Sequence, residues 1–299
     1  MTVVREYLTS FMKECEYSEE ATSALLDAYG LLSAQCGEEL CALISEYEAS
    51  YEIDYVAAIE KMKQLSEAAG IHEYTGALVL FLCYTRRMRE YYREAGLSEE
   101  LFRATVLDLK YKLEECRLVY GVIGTFVARW FPGFFKLSRF TLGRLQFEII
   151  KLGAEFEGYG LKLTADSPVI NVHIPRTGTR LDRDSQLDAY ARAAEFYKDV
   201  FGEGPVVFAC NSWLLFPRHK DMLKEGSNLK LFIDDYTLYD AGEYSDYKEI
   251  WRLFDKPYSE DLSTLPADSS LRRSYLELMR RGERTGWGKG LFRYKGSPV

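Results

Sequence analysis

The stretch VINVHIPRTGTRLDRDS, Val169–Ser185, decides how the second half of the chain is read. Its first residues are apolar and β-branched, which suits a pleated strand. Side chains alternate along a strand, so Asn171 and His173 share one face while Ile170, Val172 and Ile174 share the other. Pro175 ends the run. Pro-Arg-Thr-Gly-Thr-Arg then makes a corner, and Asp182 and Asp184 suit the opening of a helix, where acidic side chains meet the positive end of the dipole. A corner that opens a helix offers backbone N–H groups to an anion. It is equally an ordinary way to turn a chain.

Outward from this stretch, strand-like runs alternate with helices from residue 140 onward. LGRLQFEII, GLKLT, PVVFACNSWLL, NLKLFIDDYTLY, EIWRLF and LFRY read as strands; residues 183–201, 217–225 and 269–281 read as helices. That order predicts an α/β or α+β domain around a mixed sheet. In LGRLQFEII, Arg144, Gln146 and Glu148 lie on one face, with Leu145, Phe147 and Ile149 behind them. In PVVFACNSWLL, Cys210 and Ser212 point one way, Asn211 and Trp213 the other. If the first two strands are neighbours, Arg144, Gln146, Glu148, Asn171 and His173 line one cleft, with a histidine suited to general-base work. The same pattern also describes the polar side of a half-exposed sheet.

Residues 1–125 have a different grammar. YSEEATSALLDAYGLLSAQ, IDYVAAIEKMKQLSEAAG, TGALVLFLCYTRRMREYYREAG and SEELFRATVLDLKYKLEECRLVYG carry helical stripes, with Ser18 and Ser98 as caps and Gly70 and Gly121 as stops. Val56, Ile59, Met62 and Leu65 form the expected buried stripe of the second. GTFVARWFPGFFKLSRF is too aromatic for a flexible linker and is expected to pack between two domains, a helical one over 1–130 and a mixed-sheet one over 131–299.

The 299 residues are 47% hydrophobic and 14% aromatic, enough for a sizeable core. No apolar run is long enough to span a membrane, and the acidic start MTVVREYLTSFMKECEYSEE lacks the pattern of a signal peptide. Six scattered cysteines without a C-x-x-C pair read as reduced, mostly buried thiols of a cytoplasmic protein. The acid-rich first 60 residues hold only Arg5 and Lys13 as cations, which argues against a nucleic-acid partner. His72, His173 and His219 have no ligand-like spacing with cysteine, so no metal is expected.

LGRLQFEII, VINVHIP, CNSWLLFP and SNLKLF together resemble a bacterial family of acyltransferase domain-containing proteins, in which a helical N-terminal domain precedes a GNAT-like C-terminal domain. The resemblance covers motifs in about 140–232 and the organisation elsewhere. It implies an α+β fold and an acyl-CoA such as acetyl-CoA as co-substrate, with a small polar molecule as acceptor. The corner of Ile174, Arg176, Thr177, Gly178, Thr179 and Arg180 would then hold the CoA pyrophosphate, Arg176 and Arg180 adding charge-assisted bonds. The corner departs from the family's Arg/Gln-x-x-Gly-x-Gly/Ala pattern by having one glycine. Glu148 or His173 would deprotonate the acceptor. Arg144, Gln146, Asn171, Cys210, Ser212 and Trp213 would line its site. Cys210 is alternatively a covalent acyl carrier or a buried small hydrophobe. His219, Ser212, Tyr236 or solvent would protonate the departing thiolate. Arg280, Arg281, Arg284 and Lys289 read as CoA contacts or as a solvated face, and Gly286, Gly288 and Gly290 as a mobile segment or tight turn. The competing reading is a non-catalytic GNAT-like protein that binds a ligand or partner. A homodimer through the helical domain stays open.

Overall fold

The computed structural model describes residues 2–298. The chain divides into two compact units that meet at Phe140 and Thr141.

The first unit contains α1 (Thr2–Glu14), α2 (Glu19–Gln35), α3 (Gly37–Ala49), α4 (Tyr55–Ala68), α5 (Glu73–Glu94), α6 (Glu99–Tyr120) and the short α7 (Pro132–Phe135). Side-chain oxygens start the helices where the sequence places caps: Ser18 accepts from Ala21 N and Ser98 from Leu101 N, each at 3.1 Å. Gly121 closes α6 in the left-handed region. Every residue of α5 from Gly76 to Thr85 is buried, because α1, α2, α3, α4 and α6 all pack on it. Aromatic residues fill that interior. Tyr47 stacks on Tyr84 at 4.4 Å, and its hydroxyl donates to Phe135 O at 3.0 Å. Burying each such ring contributes about 1.5–3 kcal/mol, and the bonded hydroxyl avoids the cost of a stranded polar tip. The aromatic connector belongs to this core, with Phe131 and Phe135 packed on Phe81. Val56 is a correction: it is exposed, and α4 buries Tyr55, Ala58, Met62 and Leu65 instead.

The second unit contains β1 (Arg139–Leu142, which begins in the first unit), β2 (Leu145–Lys151), β3 (Phe156–Gly158), β4 (Leu161–Leu163), β5 (Pro168–His173), α8 (Arg183–Phe196), α9 (Lys198–Phe201), β6 (Val206–Ser212), α10 (His219–Met222), α11 (Asn228–Asp234), β7 (Thr237–Glu243), α12 (Trp251–Phe254), α13 (Ser270–Arg280) and β8 (Gly286–Tyr294). Six strands form one sheet in the order β1-β2-β5-β6-β8-β7. β5 and β6 run parallel, while β2 with β5, β6 with β8 and β7 with β8 run antiparallel.

α8 covers one face of this sheet. Tyr190 packs on Phe208 and Phe292, whose rings stack at 5.0 Å, and Tyr197 OH donates to Phe147 O at 3.0 Å. The β3–β4 hairpin covers the lower part of the other face through Leu161 and Leu163, which pack with Val169, Val207, Ala209 and Leu291. The upper part of that face carries polar side chains.

Two expected strands and one expected loop differ from the fold. Asn228–Asp234 is helical, started by Ser227 Oγ accepting from Lys230 N, and only Thr237 onward is strand. EIWRLF forms a helical turn and α12, because Ile250, Trp251 and Phe254 bury themselves on a helical spacing. The glycine-rich GWGKG is the first part of the inner strand β8 between β6 and β7, neither a mobile segment nor a tight turn. Its glycines are required by close approach: a Cβ on Gly288 would lie 2.2 Å from Leu215 O, and one on Gly286 2.3 Å from Gly242 O.

No helix among the described residues is long and apolar enough to cross a membrane. All six cysteines are free thiols, and only Cys41 is exposed.

Candidate active site

Antiparallel pairing puts Gln146 opposite His173 and Glu148 opposite Asn171, so the four residues share one face of β2 and β5. Three of them converge. His173 Nε2 lies 2.7 Å from Glu148 Oε1, and the Asn171 amide nitrogen lies 3.2 Å from the same oxygen and 3.1 Å from His173 Nε2. With Glu148 ionised, Nε2–H and the Asn171 amide both donate to Oε1. With the proton on Glu148, the carboxyl donates to Nε2 instead. One proton can therefore reside on either member of the pair while the Asn171 amide donates to Oε1. Side-chain exposure is 19% for His173 and 15% for Glu148, enough to meet a solute while largely shielded from bulk water. Gln146 is buried beside them.

The cluster stands where the sheet opens. β5 and β6 pair only at Ile170 with Phe208 and Asn171 with Ala209, although β5 continues to His173 and β6 to Ser212. Beyond those pairs, the facing edges of the two parallel strands are released from one another.

The corner follows directly. Pro175 is buried, Ile174 and Thr177 are half-buried, and Arg176, Gly178, Thr179 and Arg180 are exposed. Arg144 pins the corner backbone, donating to Pro175 O at 2.9 Å and Thr179 O at 3.2 Å. Gly178 has φ +77°, a conformation that L side chains seldom adopt. Thr177 and Thr179 bond through their hydroxyls at 2.7 Å. Asp182 caps α8 by accepting from Ser185 N at 2.9 Å, and that bond holds its carboxyl below the usual range. Arg176 pairs with Asp255, which also accepts from Arg272 at 2.6 Å. Asp255 is a residue that sequence reasoning missed. It lies 79 positions from Arg176, and nothing local to it signals the contact.

Three residues expected to line the acceptor site lie elsewhere. Cys210 points away from Glu148 and His173 into the face beneath α8; it is buried, and desolvation pushes its thiol well up. A thiol so placed is a small hydrophobe, not a nucleophile. Ser212 Oγ accepts from Leu214 N at 3.2 Å and starts the turn after β6. Trp213 packs edge-on against His219 and Tyr275. His219 is itself buried, with Nδ1 donating to Leu214 O at 2.8 Å and Nε2 accepting from Tyr275 OH at 2.5 Å. Tyr236 is buried against Tyr190, their hydroxyls 3.3 Å apart. Of the basic residues near the end, Arg281 pairs with Glu277 and Glu283, Arg284 lies over Tyr247, and Lys289 pairs with Asp240. Among the described residues no cluster of three or more His, Cys, Asp or Glu is placed to hold a metal ion.

Comparison with known proteins agrees with this architecture. Residues 6–137 match the N-acyltransferase N-terminal domain, and residues 139–292 match the GNAT-like C-terminal domain. No curated protein sequence matches. Among solved structures, an acyltransferase in complex with decanoyl-CoA and teicoplanin superposes with a TM-score of 0.72 at 20% identity, covering 96% of this chain and 87% of that one. A mutant acyltransferase in complex with octanoyl-CoA gives 0.74 at 20% identity, over 97% and 88%. Such low identity speaks for a shared fold, while the two domain matches span most of the chain. The chain belongs to the family that joins an N-acyltransferase N-terminal domain to a GNAT-like C-terminal domain.

Proposed function

We propose that this protein transfers an acyl group from an acyl-CoA to the amine of a small-molecule acceptor by direct attack on the thioester. The observation that carries this reading is the Glu148–His173–Asn171 cluster at the opening between β5 and β6. The amine nitrogen attacks the thioester carbonyl carbon, and its proton passes to the Glu148–His173 pair. Backbone N–H groups within 171–175 polarise the carbonyl oxygen as it gains charge. The C–S bond then breaks, and the CoA thiolate takes its proton from solvent, since His219, Ser212 and Tyr236 are all engaged elsewhere.

The corner suits the donor's pyrophosphate. Among the described residues, the N–H groups of Thr177, Gly178 and Arg180 make no hydrogen bond to the chain, and the corner carbonyls of Pro175 and Thr179 are turned to Arg144. Arg180 adds a positive charge beside them. The acyl-CoA and teicoplanin complexes of the structural neighbours support a CoA donor and a small-molecule acceptor.

The test is calorimetric titration with CoA, acetyl-CoA and octanoyl-CoA, followed by an assay of CoA release with a panel of amines. Saturable binding and amine-dependent CoA release that His173→Ala removes are expected. Absence of binding to every CoA species would overturn the reading in favour of a non-catalytic ligand- or partner-binding protein.

A further inference from the structure

The register of the sheet places five polar side chains on one face, on either side of the opening. Gln146 is opposite His173, Asn211 is opposite Lys289, and Lys289 is opposite Asp240. Asn171 pairs with Ala209 on the parallel strands, and past that pair β5 carries His173 and β6 carries Asn211, each two residues further on. Two paired groups, Gln146 with His173 and Asn211 with Lys289 and Asp240, therefore flank the opening, all on the face opposite α8. His173 and Asn211 stand on either side of the opening between β5 and β6.

The two sides of the opening differ in charge. Glu148 gives the β2–β5 side a carboxylate beside His173. On β8, Lys289 Nζ lies 2.9 Å from Asp240 Oδ2 and 5.1 Å from the centre of the Trp287 ring. A register shift in β7 between Leu238 and Asp240 re-aims that strand and brings Asp240 opposite Lys289. The lysine is thereby held on the sheet face, with 35% of its side chain exposed and ammonium hydrogens left over for a ligand. Asn211 is exposed beside it, and its amide bonds to no other group among the described residues.

We infer, resting on the acyl-transfer reading above, that Asn211 and Lys289 form the recognition half of the acceptor site and bind a carboxylate carried by the acceptor. The acceptor lies across the opening. Its amine is drawn to Glu148 and His173, and its carboxylate accepts from Lys289 Nζ and the Asn211 amide. β5 and β8 are two strand spacings apart where the strands are paired, so across the opening the amine and carboxylate are separated by at least about 10 Å. Asp240 positions Lys289 and competes with the ligand for it. The acceptor class is thus an amino acid with widely spaced ends, not a neutral amine.

The experiment uses the full chain in two titrations. CoA is titrated first. The CoA-saturated protein is then titrated with omega-aminooctanoate, whose extended ends are about 10 Å apart, and with the neutral omega-aminooctanamide. The acid is expected to bind roughly five- to tenfold more tightly than the amide. Lys289→Met and Asn211→Ala should bring that ratio toward one, and Asp240→Asn should raise it. Equal binding of acid and amide to the wild type, binding of neither, or a preference that survives Lys289→Met would overturn the inference. Failure of the first titration is a separate result, which removes the acyl-transfer reading itself. Unchanged thermal midpoints in the three variants confirm that the comparison is made between folded proteins.

Discussion

The two faces of the six-stranded sheet use the same strands for opposite purposes. Under α8, Phe147, Val172, Phe208, Cys210 and Phe292 are all buried, with Phe147 packed on Phe208 and Tyr190 on Phe208 and Phe292. On the other face, one residue along each strand, stand Glu148, His173, Asn211 and Lys289. Cys210 and Asn211 are adjacent in sequence, yet one is a thiol sealed from water and the other a solvated amide. The closed face fixes the backbone, and a fixed backbone holds reacting groups in place on the open one. The difference teaches that chemistry here depends on side-chain parity along a strand, not on residue type alone.

The largest expected effect tests the open face. Glu148→Gln and His173→Ala should each lower amine-dependent CoA release by about 100- to 10,000-fold. Their midpoints in denaturant should stay near that of the wild type, because both side chains reach solvent. A large loss of stability with activity per folded molecule retained would show that the cluster is a structural network.

Next comes the closed face. Gly288→Ala drives a methyl group toward the Leu215 carbonyl and should cost about 3 kcal/mol in urea denaturation. A neutral outcome would mean that the turn after β6 is free to move off the sheet.

The pH dependence of stability gives a smaller effect. Burial lowers the pKa of His219 from 6.5, against a partly compensating bond from Leu214. The native ring is therefore neutral over pH values at which the unfolded ring gains a proton. Its contribution is fully present above pH 6.5 and is lost as pH falls toward the folded value. Stability should therefore fall between about pH 7.5 and 5.5, and His219→Asn should remove that part of the slope. An unaltered slope in the variant would show that another group titrates.

The smallest effect concerns the corner. Asp255→Asn frees Arg176 from its half-exposed ion pair and should tighten CoA binding about two- to fivefold. Unchanged affinity would mean that Arg176 takes no part in holding the donor.

Local patterns made much of this protein legible. Period-two alternation sorts Glu148, Asn171 and His173 from Phe147, Ile170 and Val172 without reference to any other strand. Caps such as Ser98 and stops such as Gly121 mark helix ends because they satisfy backbone groups within a few residues. Local pattern misled where burial had two solutions. LKLF in Asn228–Asp234 alternates like a strand, but the Ser227 cap and the burial of Phe232 and Ile233 favour a helix. The glycines of Gly286–Gly290 looked like loop residues because nothing near them in sequence reveals the backbone that crowds them.

The sequence by itself determined which side chains share a face, the divide between a helical first part and a strand-rich second part, and the corner before α8. These follow from bond geometry and near-neighbour hydrogen bonding. Only the tertiary structure decided that Gln146 stands opposite His173, that Asn211 stands opposite Lys289, and that Asp255 holds Arg176. Those pairings join residues far apart in the chain, and their register is selected by burial of the whole sheet, which no short segment encodes.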